Sequence, residues 1–349
     1  MKGFKKMNYI LFIFILLFIR DLIIVPENTF NDEALSRQQT TSINGIFVML
    51  VFMSHAAQYL NTTADSHQLY KTFQNYLGQG VVVPFLVYSG FGMMEGIKSR
   101  GADYIRSIPN KFLKLLLYFN AALVLYFILN LFIGRSYPIG HSLLALTSWT
   151  SIGNSNWYIT AILLLYLIVY LSFKIWKKHH FLAIITIFCL TIVVVYIQML
   201  LDRPGYTYNT MICFGIGMIY SYFKSNIDNF LKNDFRFFTT FLIIFAVSSL
   251  TLFPRYAKGI EVYTIWIITF AVLLLLLTKK MILINPFLDF LGKKVFTVYI
   301  LQRIPMTLLA HYNINKHYVI FFIASFLGTI ILSIIFEKYI IKNINKLLT

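Results

Sequence analysis

A histidine and an asparagine eleven residues apart are the first groups in this chain that could do chemistry. Asn44 and His55 lie in the apolar run Ile43-Asn-Gly-Ile-Phe-Val-Met-Leu-Val-Phe-Met-Ser-His55. Three helical turns take about eleven residues, so a helix places both on one face, about 16 Å apart. With Asn44 at a membrane surface, His55 falls near the middle of a hydrocarbon core about 30 Å thick. An ionisable group at that depth is costly and usually faces an internal cavity or pathway. A neutral imidazole can take a proton from a hydroxyl near neutral pH, which suits His55 to general-base work. The plainer alternative is a histidine that hydrogen-bonds a neighbouring helix. His67, His141, His179, His180, His311 and His317 fall in loops or at the ends of apolar runs, so His55 is the histidine expected mid-membrane. Arg303 is the second unexpected group, about eight residues, or ~12 Å, into its own run. It reads either as a functional cation or as a side chain that reaches freed carbonyls or the surface where Pro305 bends the helix.

The elements that must position these groups follow from composition. The 349-residue chain is 58% hydrophobic and 12% charged, too apolar for a soluble domain of this length. Cys189 and Cys213 sit inside apolar runs and read as packing residues, with no disulfide or metal site to be argued from them. A net charge of +17 would suit nucleic acid, but the basic residues cluster in short segments between apolar runs, as they do in cytoplasmic loops. Long apolar runs lie near 7–25, 44–60, 79–97, 112–134, 157–173, 181–201, 207–223, 237–253, 260–278, 295–311 and 318–340. The expected fold is all-α, a polytopic membrane helical bundle with ten core transmembrane helices plus an N-terminal hydrophobic segment. Residues 1–41 read as that segment with an acidic linker, and 42–349 as one membrane domain.

Orientation follows from counting charges. Placing 98–114 inside puts Lys98, Arg100, Arg106, Lys111, Lys114, Lys174, Lys177, Lys178, Lys224, Lys232, Arg236, Lys279, Lys280, Lys293, Lys294, Lys338, Lys342 and Lys346 on one side. The other side holds Lys71, Arg135, Arg203, Arg255, Lys258 and Lys316. The asymmetry follows the positive-inside rule and puts the C-terminus in the cytoplasm of a multi-pass plasma-membrane protein. The run at 7–25 does not fit, because Lys2, Lys5 and Lys6 would then lie outside. It spans against the rule, lies in the interface, or is a removable signal, and no clear cleavage site supports the last.

Five motifs in order carry a resemblance. They are Ser42-Ile-Asn-Gly-Ile46 through His55, Val81-Val-Val-Pro-Phe-Leu-Val-Tyr-Ser-Gly-Phe91, and the basic stretch from Tyr104-Ile-Arg to Asn110-Lys-Phe-Leu-Lys114. Asn156-Trp-Tyr158 and Leu291-Gly-Lys-Lys-Val-Phe-Thr-Val-Tyr-Ile-Leu-Gln302 complete the set. Together they resemble the membrane acyltransferase 3 family, the integral-membrane O-acyltransferases of bacterial surface polysaccharides. The chain departs from that pattern in its extra N-terminal segment. It has Asn44 where the family often has Arg or Lys, and Gln302 where it often has His.

The resemblance implies transfer of an acyl group, most often acetyl, from acyl-coenzyme A to a hydroxyl of a cell-surface polysaccharide or its lipid-linked precursor. Coenzyme A would be a substrate, with no bound cofactor and no nucleic acid, and the lipid bilayer would be the surroundings. His55 would be catalytic. Arg106, Lys111 and Lys114 would form a basic mouth for the donor's phosphates on the cytoplasmic side, with Asn44 on the donor side too. A positioned donor is needed for the oxyanion, and Ser89, Trp157, Tyr158, Gln302 and Arg303 are the candidates for it or for substrate contact. The loops at 61–78 and 135–156 would meet the glycan. Plainer readings stand beside these: 98–114 as a topology signal, Trp157 and Tyr158 as an interfacial anchor, and Ser89-Gly90 as close helix packing. The rival class is a polysaccharide exporter without transferase chemistry, and a weaker one a catalytically dead relative.

Overall fold

The computed structural model describes residues 6–60 and 68–348. Lys2, Lys5, His67 and the 61–67 part of the first expected glycan loop lie outside the described residues. The helices run α1 Lys6–Ile19, α2 Arg37–Ala57, α3 Gln68–Leu77, α4 Val83–Arg100, α5 Ala102–Phe132 and α6 Ile139–Leu146. They continue as α7 Trp157–Ile175, α8 His180–Leu200, α9 Ile212–Tyr222, α10 Lys224–Leu231, α11 Asp234–Leu252 and α12 Gly259–Lys280. The last are α13 Pro286–Gly292, α14 Val295–Leu301, α15 Arg303–His311, α16 Tyr318–Phe336 and α17 Lys342–Leu347. Eight helical stretches among the described residues are long and apolar enough to cross a membrane. The protein is thus an all-α, multi-pass membrane bundle.

Two of the ten expected core spans do not reach that length. The run at 207–223 gives only α9, because the Pro204-Gly205 turn and a short 3-10 turn at Gly205–Thr207 precede it. The run at 295–311 is divided at Gln302. Pro305 has no N–H to give the Leu301 carbonyl, so the hydrogen-bond ladder is interrupted there while Gln302 keeps helical dihedral angles.

Glycines set the closest helix contacts. A Cβ at Gly90 would overlap the Phe214 carbonyl, and one at Gly217 would overlap that of Val87, so α4 and α9 cross backbone to backbone. In the same way Gly45 meets the Leu288 carbonyl and Gly292 meets that of Thr41, which presses α13 onto α2. Asn285 caps α13 by accepting from Leu288 N at 2.9 Å, and Pro286 occupies the first helical position.

A short ribbon that the apolar pattern does not predict anchors the N-terminal segment. Leu22–Ile24 (β1) pairs antiparallel with Met281–Leu283 (β2), with Leu22 opposite Leu283. Gln39 joins the ribbon from α2, donating from Nε2 to the Met281 carbonyl at 2.8 Å and accepting from Leu283 N at 2.9 Å. Helix α1 buries Leu11 and Phe14 in the main core and packs against α3 and α16. It is an integral part of the bundle rather than an anchor lying apart from it.

Candidate active site

Helix α2 begins at Arg37, about two turns before Asn44, and ends two residues after His55. His55 therefore occupies the last turn of its helix. The ring is buried, and its Nδ1 has no hydrogen-bond partner among the described residues. Gln302, fully buried, lies beside it and donates from Nε2 to the Tyr299 carbonyl at 3.1 Å. The Tyr299 ring stands 6.2 Å from the imidazole.

Three cavities follow one another along the bundle. The first, about 410 Å³, lies at the lysine-rich end and is lined by Lys111, Lys114, Lys293, Tyr118, Phe296 and Glu337 among others. It shares Leu115, Tyr166 and Phe296 with an inner chamber of about 360 Å³, which takes in Asn44, Tyr88, Ser89 and Tyr158. The inner chamber in turn shares Val51, Val82 and Tyr299 with a third of about 390 Å³. That third chamber holds His55 and Arg303, with Ser54, Gln58, Gln79, Asn154, Ser155, Trp157 and Tyr206 around them.

Their chemical characters differ. Three lysines face one carboxylate in the first, and that carboxylate, Glu337, is paired with Lys294 and accepts from the Thr297 hydroxyl at 2.8 Å. The inner chamber has no Asp, Glu, Lys, Arg or His in its wall, but Asn44 Oδ1 and the Tyr88 hydroxyl are buried there without partners among the described residues. The chamber around His55 is rich in amides and hydroxyls. Trp157 and Tyr206, 6.4 Å apart and edge to face, supply its aromatic surface.

The expected residues thus fall into separate compartments. Lys111 and Lys114 line one cavity with Lys293, whereas Arg106 projects outward, paired with Asp103 at 3.3 Å, and lines none of these three. Asn44 is in the inner chamber rather than with the lysines. Ser89 and Tyr158 lie side by side there, and Trp157 points to the chamber of His55. Gly90 makes the helix crossing, as the packing reading expects, while the neighbouring Ser89 faces the cavity. Arg303 reaches into the His55 chamber, donating from Nε to Ser155 Oγ at 2.9 Å and from Nη2 to Gln58 Oε1 at 2.6 Å.

Tyr299 and Lys293 are the residues that sequence reasoning missed. Both stand in the motif from Leu291 to Gln302, whose turn spacing puts Tyr299 one turn before Gln302 on the face toward His55. Tyr299 also accepts from Tyr158 N at 3.3 Å, which leaves its own proton to donate.

A buried histidine at the meeting of a neutral passage and a polar chamber, with a basic mouth behind, is a layout suited to group transfer between two substrates. A family model described as an acyltransferase domain matches residues 41–338. The chain belongs to the membrane acyltransferase 3 family. No curated protein and no solved structure matches it.

Proposed function

We propose that this membrane acyltransferase moves an acetyl group from acetyl-coenzyme A, presented at the lysine-rich end, to a hydroxyl of a cell-surface polysaccharide or its lipid-linked precursor. The observation that carries the reading is the run of three cavities sharing walls, basic at one end and holding His55 at the other. Lys111, Lys114 and Lys293 offer charge-assisted hydrogen bonds to phosphate oxygens. The uncharged inner chamber suits a slender amide-bearing arm, since taking phosphates deeper would strip them of water without compensation. The thioester then lies at the boundary formed by Val51, Val82 and Tyr299.

In the transfer step the acceptor hydroxyl gives its proton to His55 as its oxygen attacks the thioester carbonyl. The Tyr299 hydroxyl is placed to donate to the oxyanion. Collapse breaks the C–S bond, and the thiolate takes the proton back from His55, leaving an ester and a free thiol. The lysine-rich end is the cytoplasmic one in this reading, as the charge count expects.

The test is the O-acetyl signal of the surface polysaccharide, read by proton NMR in cells carrying the intact chain, no chain or His55→Ala. Loss of the signal in both deficient strains, with polysaccharide still exported in normal amount, is the expected result. Unchanged signals with polysaccharide retained inside the cell would overturn it in favour of an exporter.

A further inference from the structure

Resting on that reading, we infer that the acceptor is anionic: the chamber of His55 is built to hold a carboxylate or phosphate carried on the sugar, clamped between Arg303 and Asn154. Arg303 is the sole Lys, Arg, Asp or Glu among the residues lining this chamber, and no ion pair forms on it among the described residues. Its guanidinium is fixed along one edge. Nε is taken by Ser155 and Nη2 by Gln58, both neutral acceptors, so the charge is oriented but not neutralised. No hydrogen bond is taken from Nη1 among the described residues, and Nη1 with the second Nη2 hydrogen forms a bidentate pair that matches a carboxylate or phosphate.

Asn154 supplies the second, independent observation. It is 5% exposed and lines the same chamber. Its Oδ1 accepts from Ile152 N at 2.9 Å and from Ser151 Oγ at 3.3 Å, which fixes the amide's orientation. The opposite atom, Nδ2, is buried with no hydrogen-bond partner among the described residues. A buried donor left unpaired is expensive, and an oxyanion is the partner that satisfies it best. Ser155, next in sequence, is the residue that tethers Arg303, so one loop carries Asn154 and positions the guanidinium held on α15. Two more residues of the chamber wall hold buried unpaired atoms, Gln79 Oε1, an acceptor, and His55 Nδ1, which donates or accepts according to its tautomer.

The experiment uses the purified full chain in lipid nanodiscs, with Trp157 in the chamber wall giving a fluorescence readout of binding. The paired ligands are tetragalacturonate and its methyl ester, which differ in charge but hardly in shape, and galactose 6-phosphate against galactose. The intact protein should bind the acid at least about tenfold more tightly than the ester, a gap that one charge-assisted pair supplies. A preference within the phosphate pair instead would assign the same clamp to phosphate. Arg303→Gln should abolish the preference while neutral binding persists, and Arg303→Lys should keep part of it. Asn154→Asp, which retains the Oδ1 contacts and puts a negative charge in place of Nδ2, should also abolish it, so the test survives if Arg303→Gln does not fold. Equal binding within both pairs by the intact protein, no binding of any of the four, or an undiminished preference in Arg303→Gln or Asn154→Asp would overturn the inference. Because binding is read without any donor present, failure here is separate from failure of acetyl transfer, which the polysaccharide signal reports.

Discussion

The imidazole of His55 and the phenol of Tyr299 face each other with ring centroids 6.2 Å apart, and Tyr299 is also 5.6 Å from Tyr158 in the inner chamber. One tyrosine therefore touches the compartment of the proposed base and the compartment of the proposed thioester. That position makes it the group best placed to meet charge developing on the carbonyl oxygen.

Tyr299→Phe keeps the ring and removes the donor. It should lower kcat by about 10²-fold, the scale of a lost oxyanion donor, with the KM for acetyl-coenzyme A little changed. His55→Ala should lower kcat further. Steady-state transfer by the protein in nanodiscs checks both, and a full rate in Tyr299→Phe would remove it from the mechanism.

The basic cavity makes a prediction that separates position from charge. Lys114→Ala or Lys293→Ala should each raise the donor KM several-fold, and the pair by roughly tenfold or more, with kcat nearly unchanged. Arg106→Ala should do neither, because its side chain is 77% exposed and paired with Asp103 outside the cavity. Donor titrations at two salt concentrations check this, since the effect of the lysines should shrink as salt rises.

Glycine packing predicts where even a methyl group is too much. Gly45→Ala and Gly217→Ala each force a Cβ into a facing carbonyl and should cost about 1–3 kcal/mol. Gly92→Ala meets nothing within 4 Å and should be neutral or slightly stabilising. Thermal unfolding in detergent compares the three.

Asp228 ties α10 to α12 through Lys279 Nζ at 2.7 Å and also meets Lys224 Nζ at 3.2 Å. Burial alone would raise its carboxyl, but the hydrogen bond and charge of Lys279, the Tyr220 hydroxyl and the charge of Lys224 hold it below the ordinary carboxylate range. A carboxyl depressed in the folded state contributes stability above its unfolded pKa, near 3.9. That contribution is lost as pH falls through and below this region. Asp228→Asn should be less stable than the intact chain at pH 7, and the gap should narrow towards pH 3, as melting curves across that range would show.

How far the sequence spoke depended on the range of the interactions. Hydropathy and lysine spacing reveal long helices because each needs only its own residues, and α5, α8 and α12 are of that kind. The site was legible as a set of residue types: His55, Lys111, Lys114, Ser89, Tyr158 and Arg303 all line cavities. Their division among three compartments was not, because it depends on which face of each helix meets which neighbour. Asn44 is grouped with the lysines on the donor side, and it lines the inner chamber next to their cavity, a division no spacing in the sequence marks. The apolar run reads as beginning near Asn44, but α2 begins at Arg37, because Arg37 and Gln39, polar in sequence, start a helix that hydropathy alone does not extend to them. The β1–β2 ribbon pairs segments about 260 residues apart, and no local pattern marks such a pairing.

Val51, Val82 and Tyr299 line both the inner chamber and the chamber of His55, so they also set how far the two could merge. A bilayer that stores a proton gradient cannot host a wet pore, and cavities opening from both ends would become one if they merged. Two valines and a tyrosine ring are the residues the two chambers share, a largely apolar constriction of the kind that would keep a bilayer electrically tight during group transfer. Small polar residues at these three positions would convert an acyltransferase into an ion leak, and the cost to the cell would appear as lost membrane potential.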